Sequence, residues 1–243
     1  MIDSKTPIDT EFDFRQEVGD KDADFYSPTL KQFHQILWNK TLPNGKSLQI
    51  SKAKSKYLVG ICEDKLVYLS SDSIVHSYWG KKRMSKVLIG LDDEVEEFRK
   101  INSTIGGYIL FPSKQINGKW TINQARGCRQ IIADRFDLTL ECIRRHYLNI
   151  SHPLDDVFKR YSDFFSLFGD FIGYTKFFLL DDLVDNNYST VRFHTNIEQI
   201  FISNPLPQDQ DEYRIYAENS KKFVRLRNER IKRWVSESLN QNS

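Results

Sequence analysis

The spacing of apolar positions changes character twice along the chain, and each stretch predicts a different kind of element. After Ser27-Pro28, a capping residue followed by proline at the first helical position, Leu30, Phe33, Leu37 and Trp38 fall at helical intervals. That helix is expected to stop before Pro43 and the Asn44-Gly45 turn. From Leu48 to Trp79 the period shortens to that of strands. Tyr57–Cys62 and Leu66–Leu69 are β-rich runs flanking Glu63-Asp64-Lys65, a hairpin pattern. Phe12-Asp13-Phe14-Arg15 alternates and suits a short strand. Asp92, followed by Asp93, Glu94, Glu96 and Glu97, reads as the N-cap of a helix ending near Asn102, because the helix dipole favours anions at its start. Gly106-Gly107 marks a turn or a close approach, Tyr108–Phe111 a buried strand, and Asn117-Gly118 another turn.

Beyond Asn123 helical spacing takes over. Phe136, Leu140, Ile143 and Tyr147 form one stripe, and Leu154, Val157, Phe158, Tyr161, Phe164, Phe165 and Phe168 form the next. A Gly169–Gly173 break, a short helix with Tyr174, Phe177 and Phe178, an isolated strand at Val191–Phe193 and a linker at Asn204–Pro207 follow. One long helix over 209–239 closes the pattern. The order predicts an α+β fold, in which a small, mainly antiparallel sheet from residues 12–15, 48–79 and 108–121 packs against a C-terminal helical half. We expect a single domain over 1–243, loose at 1–11.

Composition sharpens this picture in few places. Seventeen Phe against two Met predict a core built on rings. A formal net charge of +2 gives no whole-molecule attraction to nucleic acid or membrane. Cys62, Cys128 and Cys142 are odd in number and lack CxxC spacing, which points to a reducing compartment and away from disulfides or structural zinc. The segment MIDSKTPIDTEFDF has no basic or apolar signal region, and no apolar run is long enough to span a bilayer. A soluble cytoplasmic protein without membrane contact is therefore expected.

Candidate chemistry concentrates between Thr121 and Val184, where charges are threaded through core-forming residues and must be paired, solvated at a cleft, or used. Asp137, Glu141 and Arg145 lie one helical turn apart, roughly opposite the apolar stripe, with Asp134 nearby. That face suits a metal or a phosphate held by bidentate arginines, and equally an ordinary Glu141–Arg145 pair on a solvated face. Thr121–Gly127 is a polar entry to a helix, where Asn123 caps the helix or joins Arg126 around an anion. No GxGxxG or GxxxxGK[ST] loop is present. His34, His76, His146, His152 and His194 show no ligand spacing, so no metal is assigned and no cofactor is named. His146, beside Arg144 and Arg145, is expected to be neutral and able to act as an acid–base group. The candidates are thus Asp137, Glu141 and His146 for catalysis, and Asn123, Arg126, Arg135 and Arg144 for ligand binding. No GxSxG or recognised cysteine context marks a nucleophile. Lys82-Arg83-Met84-Ser85-Lys86 is similar to the KMSKS loop of class I aminoacyl-tRNA synthetases, but it lacks a HIGH motif and is read as chance. Lys221, Lys222, Arg225, Arg227, Arg230, Lys232 and Arg233 give the closing helix a basic face, expected to be mostly outward and solvated.

Several phrases occur together: FDFR at 12–15, YSPTL at 26–30, LW and LP within 37–43, TIGG at 104–107, TIN and ARG within 121–127, DRFDLTLECIRR at 134–145, RYSDFF at 160–165 and FFLLDDLV at 177–184. In these the chain resembles a bacterial family of uncharacterised cytosolic proteins over nearly its full length. The resemblance implies a stand-alone bacterial protein of this size and carries no activity, substrate or catalytic residue with it. Two functions stay open. One is binding or processing of an anionic ligand, phosphate-bearing or nucleic acid, at the arginines and carboxylates of 121–146. The other is a non-catalytic interaction module, its ion pairs structural and an apolar patch offered to a protein partner.

Overall fold

Glu63 and Asp64 both adopt left-handed backbone, with φ of 47° and 63°. Two such residues in succession make the tight turn whose twist matches flanking strands. They join β2 (Leu58–Cys62) to β3 (Lys65–Ser73), so the hairpin expected from the alternation is present. The computed structural model describes residues 8–52, 58–74, 84–196 and 199–241. β1 (Gln49–Lys52) and β4 (Tyr108–Pro112) complete an antiparallel sheet in the order β1-β2-β3-β4. Registers run Gln49 to Ile61, Leu58 to Leu69 and Ser71 to Leu110. β4 is buried at every position, as its unbroken apolar run requires. The fold is α+β: among the described residues, three short helices precede this sheet, one lies between β3 and β4, and the rest follow it.

Phe12–Arg15 is not a strand. Asp13 accepts hydrogen bonds from the Arg15 backbone and guanidinium, and that local ring of bonds favours a helical turn, α1 (Arg15–Val18). After α2 (Ala23–Tyr26), Ser27 caps α3 (Pro28–Trp38), its hydroxyl accepting from Leu30 N–H. Leu91, rather than Asp92, occupies the cap of α4 (Asp92–Asn102), which leaves the acidic residues inside its first turn. α5 (Ile122–Cys128) and α6 (Phe136–Tyr147) follow β4. The next apolar stripe does not form one helix. It breaks into α7 (Asp155–Phe158), a 3-10 turn and α8 (Ser162–Ser166), with Phe158 packed on Phe165, and Phe165 and Phe168 both against Tyr174. Asp170 caps α9 (Phe171–Phe177), so Gly173 lies inside a helix, where a Cβ would run into the Phe168 carbonyl oxygen and Pro43. Val191 makes only an isolated bridge to Val184. The basic stretch 80–83, including the start of Lys82–Lys86, and His76 lie outside the described residues.

α10 (Gln210–Gln241) is the long closing helix, 32 residues. Its basic residues are not all outward: Arg227 and Lys221 are buried. Asn228 accepts a hydrogen bond from Gly106 N–H at 2.7 Å and donates to Thr104 at 2.8 Å, docking the helix on the 3-10 turn Ile105–Gly107. Gly106 is required there by proximity. A Cβ would lie 2.5 Å from Asn228 Oδ1 and 2.6 Å from the Val224 carbonyl oxygen. Gly106→Ala is expected to cost about 2 kcal/mol or more, by overpacking a site that cannot give way. Urea unfolding checks this; wild-type stability would mean the helix is not seated there. Among the described residues, no helix is long and apolar enough to cross a membrane.

Candidate functional site

Thr121, not Asn123, caps α5. Its hydroxyl accepts from Gln124 N–H while Gln124 Oε1 accepts from Thr121 N–H, a reciprocal capping box. Asn123 is thereby freed, and its Nδ2 donates to Ser70 Oγ at 3.2 Å and to the Ser71 carbonyl at 3.4 Å. One turn later Arg126 pairs with Asp72 and donates from Nε to Thr139 Oγ1 at 3.0 Å. Its guanidinium lies 5.5 Å from the ring centroids of both Phe111 and Phe136. Ser70 and Asp72 share a face of β3, so a helix's i,i+3 spacing meets a strand's i,i+2 spacing.

Ser71 joins a second network. Trp38 Nε1–H donates to His34 Nδ1 at 2.9 Å, and His34 Nε2 lies 2.8 Å from Ser71 Oγ. An indole can only donate, so Nδ1 is the unprotonated nitrogen and Nε2 carries the proton. Burial pushes the His34 pKa down to about 3, with the Arg227 charge adding to it, so the ring is neutral. His34 therefore donates to Ser71 and has no lone pair left to take a proton from it. Ser71 is not a nucleophile of the serine–histidine type. Its own hydroxyl is left to donate a hydrogen bond to the Asp24 carboxyl.

Asp24, Phe25, Lys31, Ser70, Asp72 and Asn123 line a cleft of about 280 Å3. Asp24 Oδ1 and Asn123 Oδ1 are shielded from solvent and have no hydrogen-bond partner. Burial, and after it the carboxylates of Asp72 and Asp22, hold the Asp24 carboxyl well above the ordinary aspartate range, against the Ser71 hydrogen bond and the Arg126 charge. Two carboxyl groups of unlike environment thus meet at one cleft: Asp24, its pKa raised by burial, and Asp72, ion-paired with Arg126.

The other expected site residues lie elsewhere. Arg135 and Asp137 are a fully buried pair, with Arg135 Nε 3.1 Å from Asp137 Oδ1. Arg135 also donates to the Pro205 carbonyl at 2.6 Å and to Thr195 at 3.0 Å, on the wall of a second cleft of about 400 Å3. Glu141 is buried and accepts from Arg144 and Arg145, each at 2.8 Å. Burial would raise its pKa, and those two guanidinium groups bring it below the usual range instead. His146, in the last turn of α6, packs 4.9 Å from the Phe165 ring and 6.0 Å from that of His152. Its pKa is lowered by burial, against the opposing charge of Asp155 and with a smaller push from Lys159. The fold brings Asn123 and Arg126 together, and places Arg135 with Asp137, Glu141 with Arg144, and His146 in three further settings. Asp24, His34, Ser71 and Asp72 were not foreseen. The one available signal was Ser70-Ser71-Asp72, three polar residues in the middle of a strand pattern.

Comparison with curated proteins and with solved structures returns no match. Residues 8–231 match the model of a family of unknown function, DUF6994, and the chain belongs to that family.

Proposed function

We propose that the cleft between Asp24 and Asp72 binds a small neutral or cationic polar molecule and performs acid–base chemistry on it. Asp24 is the proton donor, Asp72 the facing carboxylate, and the Asn123 amide with the Ser70 hydroxyl orients the ligand. The observation that carries this is the pairing of a buried, unpartnered carboxyl oxygen on Asp24, its pKa raised, with the arginine-held Asp72 at one concave site. An anionic ligand held by Arg126, Arg135 and Arg144 has less support, since each of these guanidinium groups already serves an internal carboxylate. A cytoplasmic setting fits the three free cysteines.

A carboxyl group whose pKa is raised on folding stabilises the native state less as pH climbs from the unfolded value of about 3.9 through the folded value, because the native state must then surrender a proton it holds tightly. Asp24→Asn removes that loss. The variant is expected to match the wild type at pH 4 and to exceed it by about 1–3 kcal/mol at pH 8, the usual cost of a buried charge without full hydrogen bonding. Urea midpoints at the two pH values check it, and a gap that does not grow with pH rejects Asp24 as the acid. Thermal shift against polyols, nucleosides, amines and phosphates tests the ligand class. A hit among the first three that is lost in Asn123→Ala supports the assignment, and hits confined to phosphates overturn it.

A further inference from the structure

His146 comes from the end of α6, His152 from the connection that follows it and Asp155 from the start of α7. We propose that these three side chains form a binding site for a divalent transition-metal ion, with Zn2+ the ion their donor set fits. Each offers one ligand atom, and the three atoms lie within 4.8 Å of one another. His152 is the fixed member: it is 7 % exposed, and its Nε2 has no hydrogen-bond partner. That atom is 3.7 Å from Asp155 Oδ1, close to the roughly 3.4 Å that separates donors around a tetrahedral zinc with bonds near 2.1 Å. His146 and Asp155 are only partly buried and free to close the remaining gap.

Aromatic rings border both imidazoles and fix the position of the buried one, His152. Phe158 lies 5.1 Å from His152 and 5.7 Å from His146, and Phe165 lies 4.9 Å from His146 at a tilt of 54°. The second oxygen of Asp155 is engaged by Lys159 at 2.6 Å, which orients the carboxylate and leaves Oδ1 facing the histidines. His152 Nδ1 now accepts a 3.2 Å hydrogen bond from Leu154 N–H, so Nε2 carries the ring proton. On coordination that proton moves from Nε2 to Nδ1, the Leu154 bond breaks, a metal–Nε2 bond forms, and no net proton is released. Two imidazoles and one carboxylate favour zinc, cobalt or nickel over calcium or magnesium, and three protein ligands leave a tetrahedral ion one position for water.

The test is calorimetric titration of the full chain with Zn2+ and an absorption spectrum with Co2+. One equivalent of Zn2+ should bind, with Co2+ giving d–d bands of an oxygen and nitrogen site and no thiolate charge-transfer band. His146→Gln, a change at a half-exposed position that leaves the fold in place, should weaken binding at least tenfold. Cys128→Ser, which removes the exposed thiol, should leave it unchanged. Absence of saturable binding overturns the assignment, as does affinity untouched by His146→Gln. So does loss of binding in Cys128→Ser, or a thiolate band in the cobalt spectrum.

Discussion

Replacing Arg227 by Met is expected to cost about 3–5 kcal/mol, a third or more of the stability of an ordinary domain. The Arg227 side chain is fully buried in the middle of α10, and it holds backbone rather than a carboxylate. Nη1 donates to the carbonyls of Gly106 at 2.8 Å and Tyr108 at 2.7 Å, while Nη2 and Nε donate to Phe178 at 3.0 and 3.2 Å. Burial pulls its pKa down to about 9, which still leaves it protonated at neutral pH. Met fills similar volume but donates nothing, so three carbonyls lose partners deep in the protein at about 1–3 kcal/mol each. Relief from burying a charge offsets part of that, which is why the sum is not larger. Arg227→Lys should fall between, since a single ammonium cannot span three acceptors with the geometry of a planar fork. Urea unfolding with an unchanged m-value reads the effect. A loss below about 1 kcal/mol would show that water meets those carbonyls and that Arg227 is not what joins the segments.

Asp137→Asn is the second large change. Both carboxylate oxygens are occupied: Arg135 binds each of them, Leu138 N–H donates at 3.0 Å and His194 N–H at 2.9 Å. Asparagine cannot neutralise Arg135, and an uncompensated buried charge costs about 3–5 kcal/mol. The effect depends on pH with a definite sign. Burial alone would raise the Asp137 pKa, but the Arg135 charge and the hydrogen bonds overcome it and hold the carboxyl at about 2. A depressed folded pKa gives stability that is present above the unfolded value of about 3.9 and lost as pH falls towards 2. The gap between wild type and Asp137→Asn should therefore be full at pH 7 and shrink by about 2 kcal/mol in strong acid. Parallel urea titrations at pH 7 and in strong acid decide it, and a gap independent of pH would mean that Asp137 is not the ionised partner of Arg135.

What the sequence reveals and conceals here divides by distance along the chain. The 58–73 hairpin, the Ser27 cap, the first helical stripe and the closing helix rest on contacts between near neighbours, and periodicity reports those directly. Phe12–Arg15 misled because alternation over four residues is weaker than one aspartate binding its own backbone. Asn123 reads as either a cap or an anion contact because Thr121 offers the same capping chemistry two residues earlier, and only the Gln124 bond distinguishes them. The Glu141 face looked solvated because nothing local signals that Asp137 is covered by His194, 57 residues away. The cleft was invisible for the same reason: Arg126 reaches Asp72 across 54 positions, and Ser71 reaches His34 across 37.

The way α10 grips the Ile105–Gly107 turn also sets a timetable for the chain as it is made. Asn228 is 122 residues beyond Gly106, and Arg227 is 119 beyond Tyr108. On a ribosome working from the N-terminus, β4 and the turn before it emerge long before either side chain exists. Until residues 227 and 228 arrive, those carbonyls and the Gly106 amide have no partners but water, and the rings beneath them stay uncovered. The turn at 105–107 therefore gains its native partners only after residues 227 and 228 have been made, so contacts of high sequence separation close this part of the fold.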